Sequence, residues 1–208
     1  MKLTGSRSSD NEDFFSDWDF VIDTAGDFGQ IYKLLDRALV WRLHSRGEQS
    51  VLTAVGPKGE IFKFSGSRSK FIDQWGKIES KIADAELHYY WILAFQYLKT
   101  LHRNYDLLAE VGIERLTGLL RDIYLQRSVD VVEYKSTYSY KAVRVRLAES
   151  ANQLSVVTGL PYRSTAERLK KLRQMNHLID SVSPKGFQAA SKAFEGKLQW
   201  LEEPEPAM

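Results

Sequence analysis

Cysteine is absent from the 208-residue chain, which excludes disulfides and thiolate metal sites. The four histidines (His44, His88, His102 and His177) stand far apart without ligand spacing, which argues against zinc. There is no run of about 18 apolar residues, and the N-terminus lacks the charged, apolar and small segments of a signal sequence. The expectation is therefore a soluble, cytoplasmic protein with no membrane partner. An excess of one charge is missing too: the net charge is +2, so partners must be read from local clusters. No internal repeat or low-complexity block is visible. What is present, 43% hydrophobic and 12% aromatic residues, can fill the core of one large domain or two to three small ones. The aromatics are spread through helical stretches, which suits core packing better than base stacking.

The most informative stretch is the opening, from Gly5-Ser6-Arg7 to Asp17-Trp18-Asp19-Phe20-Val21-Ile22. Side chains alternate along a strand, so Asp17 and Asp19 share one face while Trp18, Phe20 and Ile22 fill the other. Two carboxylates on one face suit Mg²⁺, which takes oxygen ligands from one or two acids plus substrate phosphates. Gly5 and Ser6 offer a backbone N–H and a hydroxyl to such phosphates. The same pattern also fits any half-buried strand with a wet face. Asp10, Glu12 and Asp13 read as a solvated loop.

With its spacing, this stretch resembles the signature of the nucleotidyltransferase superfamily, the fold of DNA polymerase beta and of antibiotic nucleotidyltransferases. The resemblance implies that Ser6 binds the triphosphate, that Asp17 and Asp19 hold Mg²⁺, and that a third carboxylate follows on a later strand. The chemistry implied is two-metal transfer, in which the ions activate the attacking oxygen and neutralise the leaving pyrophosphate. Relatives usually carry a helix before the first strand, so the N-terminus reads as shortened.

Apolar residues Phe28, Ile31, Leu34, Leu35, Ala38 and Leu39 predict a sheet-covering helix over about 27–44. Residues 51–55, the turn Gly56-Pro57-Lys58-Gly59 and residues 60–65 predict a hairpin. The second arm is where the resemblance places the third carboxylate, and the residue there is Lys63. Glu60 is the nearest acid but points to the other face unless a bulge intervenes. A lysine can hold triphosphate as a point charge while abolishing turnover; alternatively, Glu60 or an acid from the helical half substitutes.

Beyond about residue 69 the chain turns helical. One stripe is Leu87, Tyr90, Trp91, Ala94, Leu98 and Leu101; the next is Val111, Leu116, Leu119, Leu120 and Ile123, and the two helices should pack antiparallel. Tyr90-Trp91, Lys99 to Arg103, Ala109 and Leu119-Leu120-Arg121 are similar to the helical domain of aminoglycoside 6-adenylyltransferases and related lincosamide enzymes. Lys99 and Arg103, four apart on one face, can reach phosphate or form a solvated basic face. Glu86 is a candidate general base for the acceptor hydroxyl. Residues 127–147 give no single reading, with strand character at 129–134.

In the last third, 152–158 reads as a short helix, Gly159-Leu160-Pro161 as a turn, and Ser164-Thr165-Ala166-Glu167 as a capping box opening a helix to about Met175. Leu154, Val157, Leu160, Ala166, Leu169 and Leu172 would form its core. The pattern suits a helix-turn-helix, with 177–180 and 183–186 where a wing would follow, or an ordinary helical hairpin with a basic face. Arg163, Ser164, Arg168 and Lys171 are the candidate DNA contacts. Residues 187–200 predict a closing amphipathic helix, and 201–208 a frayed tail.

The expected fold is α+β: a nucleotidyltransferase-like mixed sheet with covering helices over 1–75, a helical domain over 76–135, and a helical, helix-turn-helix-like segment over 136–208. Two functions are compatible with it. One is a Mg²⁺-dependent enzyme moving a nucleoside monophosphate from ATP or another NTP to a hydroxyl of a small-molecule or protein acceptor. Its nucleotide contacts would be Gly5, Ser6, Arg7, Lys63, Lys99 and Arg103. The other is a regulator of duplex DNA whose degenerate nucleotidyltransferase-like domain senses a ligand or forms a homodimer.

Overall fold

The computed structural model describes residues 1–4, 17–128 and 140–203, with only the backbone described at 128 and 140–147. Gly5, Ser6 and Arg7, the acids at 10–13, the strand-like 129–134 and the tail from 204 therefore lie outside the described residues.

Five strands form one mixed sheet: β1 (Lys2–Thr4), β2 (Trp18–Val21), β3 (Val40–Arg46), β4 (Gln49–Val55) and β5 (Ile61–Ser67), in the order β1-β2-β5-β4-β3. Only β2 and β5 run parallel. Helix α1 (Phe28–Leu35) provides the crossover after β2, followed by α2 (Ile72–Glu79) after β5. Five longer helices follow among the described residues: α3 (Ala85–His102), α4 (Asp106–Ser128), α5 (Tyr140–Thr158), α6 (Thr165–Val182) and α7 (Gln188–Glu202).

The helix predicted over 27–44 is corrected to eight residues. Phe28, Ile31 and Leu35 are buried as the periodicity implies, but from Val40 the period changes from helical to two. Trp41 and Leu43 pack on one face of the sheet, while Arg42, His44 and Arg46 take the other. Gly47, at φ 59°, makes the left-handed turn into β4. The predicted hairpin is present, and Gly59, at φ 77°, closes it with its Cα facing Lys197 and Phe95.

Alternation along the strands separates two cores. Leu52, Ala54 and Phe64 pack with Phe28, Ile31, Phe71 and Trp75 beneath α1 and α2. Val40, Val55 and Ile61, on the opposite sheet face, join a continuous apolar cluster running through α3 to α7. Helix α3 is the centre of this cluster: Leu87, Tyr90, Trp91, Ala94, Leu98 and Leu101 are all buried, with Phe95 and Tyr97. Full burial of each large apolar side chain stabilises by about 1.5–3 kcal/mol, so this one helix anchors much of the molecule.

Helices α3 and α4 are antiparallel, as Arg115 meets Tyr89 and Gly112 meets Tyr97. The second predicted stripe needs one correction: Val111 is 58% exposed, and Ala109 and Ile113 face the core with Leu116, Leu120 and Ile123. Among the described residues no helix is long and apolar enough to cross a membrane.

The C-terminal pattern is partly as read. Ser164 caps α6, accepting from the Glu167 N–H, and the Glu167 carboxylate accepts from Arg163 and Ser164 N–H groups. But α6 continues past Met175 to Val182, and a 3-10 turn at Lys185–Phe187 leads directly into α7, so no strand occupies the expected wing. Ala166 is exposed and Leu160 only half-buried, while Leu154, Val157, Leu169 and Leu172 are core. Glu195 joins α6 to α7 through Arg173 at 2.6 Å and Asn176 at 3.2 Å.

Candidate functional site

One transverse row of the sheet is polar from edge to edge. Register places Thr4, Asp19, Lys63, Thr53 and Arg42 side by side on β1, β2, β5, β4 and β3. Residues directly opposite across a ladder share a face, so all five look toward the helical half. The row below it, Val40, Val55 and Ile61, is apolar and covered. In the row above, His44 and Val21 are exposed and Val51 and Ser65 half-buried. The polar row therefore lines the mouth of a cleft between sheet and helices.

Helix α3 runs along this row. Tyr89, Ile92, Gln96 and Lys99 lie on one helix face, with Tyr89 under the Arg42 guanidinium at one end and Lys99 on Asp17 at the other. Ten residues of helix rise about 15 Å, close to the roughly 14 Å of three strand spacings between Asp19 and Arg42.

Asp17 is 4% exposed, and its Oδ2 carries two ammonium groups, Lys63 and, at 3.0 Å, Lys99. Its Oδ1 is buried with no hydrogen-bond partner among the described residues. Asp19 is paired with Lys63 across the parallel ladder, and Thr4 Oγ1 donates to the Asp19 carbonyl at 3.2 Å. Thr4 and Asp17, which bound residues 5–16, thus both sit at this end of the row.

This arrangement brings together Asp17, Asp19, Lys63 and Lys99. Arg103 lies one turn beyond Lys99, half-buried at the end of α3. Glu86 is exposed at the start of α3, thirteen residues and so about 20 Å of helix from Lys99. The structure does not bring it to the acids. Glu60 does not substitute for Lys63, because its carboxylate accepts the Lys58 N–H at 2.9 Å within the hairpin turn.

Mg²⁺ can be tested against these donors. Among the described residues no three acids or histidines cluster as a metal site, so these residues by themselves do not supply a pair of ions. Two carboxylates with an unpartnered oxygen do fit one Mg²⁺ arriving with phosphates. Lys63 and Lys99 disfavour the bare cation, whereas a triphosphate compensates all three positive groups.

Sequence reasoning missed the far end of the row because the overlong helix concealed β3. There a cleft of about 300 Å³ is lined by Arg42, His44, Thr53, Tyr89, Gln96 and Arg115. The Arg42 guanidinium lies 3.7 Å from the Tyr89 ring centre, and Arg115 donates to the Tyr89 hydroxyl. Burial, then the Arg42 and Arg46 cations, hold the His44 imidazole below its ordinary range. The signal was available in the alternation of Trp41 and Leu43 with Arg42, His44 and Arg46.

The candidate DNA contacts are corrected. Arg168 is 3% exposed, donating to the Tyr162 carbonyl at 2.9 Å and pairing with Asp106 at 2.8 Å. Lys171 is 2% exposed, with its ammonium on the Thr158 and Leu160 carbonyls at 2.8 and 3.2 Å. Burial pushes the Lys171 ammonium below its usual range. These cations hold the turn before α6 from inside, satisfying helix-end carbonyls. Arg163 is exposed and Ser164 is engaged as the cap.

No protein-family model matches the chain, and no curated protein matches it. Among solved structures, it is similar to an aminoglycoside 6-adenyltransferase from Bacillus subtilis, at 13% identity over 88% of this chain and 81% of that one, with a TM-score of 0.34. A superposition this loose carries no weight for fold or activity, and the functional reading rests on the residues themselves.

Proposed function

We propose that this chain binds a nucleoside triphosphate, ATP being the first candidate, at the Asp17–Asp19 end of the row and transfers its nucleoside monophosphate to a hydroxyl of a small-molecule or protein acceptor. The observation that carries this reading is the register: Asp19 and Lys63 are neighbours on parallel strands, with Thr4 beside Asp19 and the Asp17 carboxylate on the Lys63 ammonium. Lys63 and Lys99 would hold phosphate oxygens, Arg103 extending that positive face, and Ser6 with the Gly5 and Arg7 backbone would contribute donors. Asp17 Oδ1 and Asp19 would hold one Mg²⁺, which supplies charge neutralisation at the transferred phosphorus when bound.

In the reaction the acceptor oxygen attacks the α-phosphorus, the bond to the bridging oxygen breaks and pyrophosphate leaves. Asp19 has no ion-pair partner among the described residues, and in this reading the carboxylate oxygen not on Mg²⁺ would take the acceptor proton. Lys63 and Lys99 offset charge on the departing pyrophosphate. The test is transfer of label from α-³²P-ATP to candidate acceptors. Wild type should label an acceptor and Asp19→Asn should lose at least a hundredfold in rate while staying folded. Equal rates in the two proteins would overturn the assignment.

A second reading, a ligand-sensing regulator without turnover, is favoured by Lys63 in the third-acid position and by the two lysines neutralising Asp17. Saturable ATP binding with no transfer to any acceptor would select it. Of its duplex-DNA candidates Arg163 and Ser164 are exposed, Ser164 being engaged as the helix cap, while Arg168 and Lys171 are internal.

A further inference from the structure

We propose that the Arg42–Arg115 end of the row is a separate oxyanion subsite, which binds a phosphate or carboxylate group on the acceptor molecule. The word acceptor rests on the transferase reading; the subsite does not. One tyrosine organises it: the Arg42 guanidinium is over the Tyr89 ring at 3.7 Å, Arg115 is 5.4 Å from the same ring centre, and Arg115 also donates to the Tyr89 hydroxyl. Two guanidiniums are thus held on one ring, and neither has a carboxylate partner among the described residues.

Like charges held together without an anion repel, and the arrangement is relieved when an oxyanion enters. Planar guanidinium groups match the paired oxygens of phosphate and carboxylate. His44, Thr53 and Gln96 supply further polar groups around a cleft of about 300 Å³, enough for a small anionic head and part of the molecule bearing it.

This subsite is distinct from the nucleotide end. Two strand spacings, about 10 Å, separate Arg42 from Lys63, and the side chains diverge, the Lys63 and Lys99 ammoniums on Asp17 and the Arg42 guanidinium on Tyr89, so one phosphate cannot touch both ends. The sign of the charge also defines the acceptor class. A polycationic amine would meet Arg42 and Arg115 unfavourably, whereas an anionic metabolite or a phosphorylated group would be drawn in.

The experiment is calorimetric titration of the full chain with methyl phosphate and, separately, acetate. At least one should bind, and the tighter of the two identifies the oxyanion class. Arg42→Gln and Arg115→Gln should each weaken that binding at least tenfold, Tyr89→Phe less, and Lys63→Gln should leave it within twofold. Thermal melts of every variant confirm that the loss is not unfolding. Binding of neither anion overturns the subsite, as does retention by both arginine variants or an equal loss in Lys63→Gln. ATP titration in parallel separates the two ideas: anion binding without ATP binding refutes the nucleotide reading and leaves the subsite standing.

Discussion

Replacing Asp17 with asparagine removes one negative charge from a place where the structure has arranged two positive ones. The Asp17 side chain is 5% exposed, and Lys63 and Lys99 are 32% and 22% exposed. Breaking a buried ion pair by removing one partner costs about 3–5 kcal/mol. Here water reaches both lysines, so a loss of about 2–3 kcal/mol is expected for Asp17→Asn, part of it repulsion between the ammonium groups. For a chain of this size each kcal/mol moves Tm by about 2–4 °C, giving a fall of about 4–12 °C. Lys63→Met leaves Asp17 with Lys99 and should cost about 1–2 kcal/mol. The double variant keeps only Lys99 beside an amide, so its loss should fall short of the summed singles by at least about 1 kcal/mol. Urea unfolding followed by tryptophan fluorescence at pH 7 measures all four corners of the cycle, and added salt should reduce the Asp17→Asn deficit by screening the lysines. Costs that add within about 0.5 kcal/mol, or an Asp17→Asn protein as stable as wild type, would refute the charge cluster.

Three further outcomes follow from the geometry. Lys171→Ala should lower stability by about 2–4 kcal/mol, because the Thr158 and Leu160 carbonyls lose their donor inside the protein; an unchanged melt together with salt-dependent loss of duplex DNA binding would restore the recognition-helix reading. His88 Nδ1 accepts the Trp41 backbone N–H at 3.0 Å, and burial holds the imidazole below its ordinary value, Asp84 opposing. Between the unfolded value near 6.5 and the lower folded value, the unfolded chain binds a proton that the folded chain does not. Stability should therefore fall as pH drops below about 6.5 and level off beneath the folded value, and a wild-type slope unchanged in His88→Asn would count against it. Gly59→Ala should cost about 2–3 kcal/mol from its positive φ and a Cβ pressed 2.5 Å from Lys197 Cε and 2.8 Å from Phe95 Cε1; a melt within 1 °C of wild type would contradict the close approach.

Much of the architecture is legible in the sequence where periodicity is strong. The stripe from Leu87 to Leu101 marks α3 because a helix buried against both sheet and helices must place large apolar groups at each turn. The capping box at Ser164 and Glu167 marks the start of α6 because its bonds are local. The helical period over 27–44 overshoots α1 because Ala38 and Leu39 happen to continue it, although Leu39 packs in the helical core and Ala38 in the other. Residues 177–180 and 183–186 stand where a wing would follow a helix-turn-helix, but position in the chain does not distinguish a wing from a helix continuing to Val182.

For the site, the sequence alone determined that Asp17 and Asp19 share a face, since alternation is a property of one strand. It also placed Lys63 where a third acid was sought. Only the tertiary structure decided what those charges do. Register set Lys63 beside Asp19 and aligned Thr53 and Arg42 beyond it, and the path of α3 across the strands brought Lys99 to Asp17 and Tyr89 to Arg42. The same holds for Arg168 and Lys171, basic on paper and internal in the fold. A cation's role depends on which oxygens lie within about 3 Å, and for residues far apart in the chain that distance is set by packing.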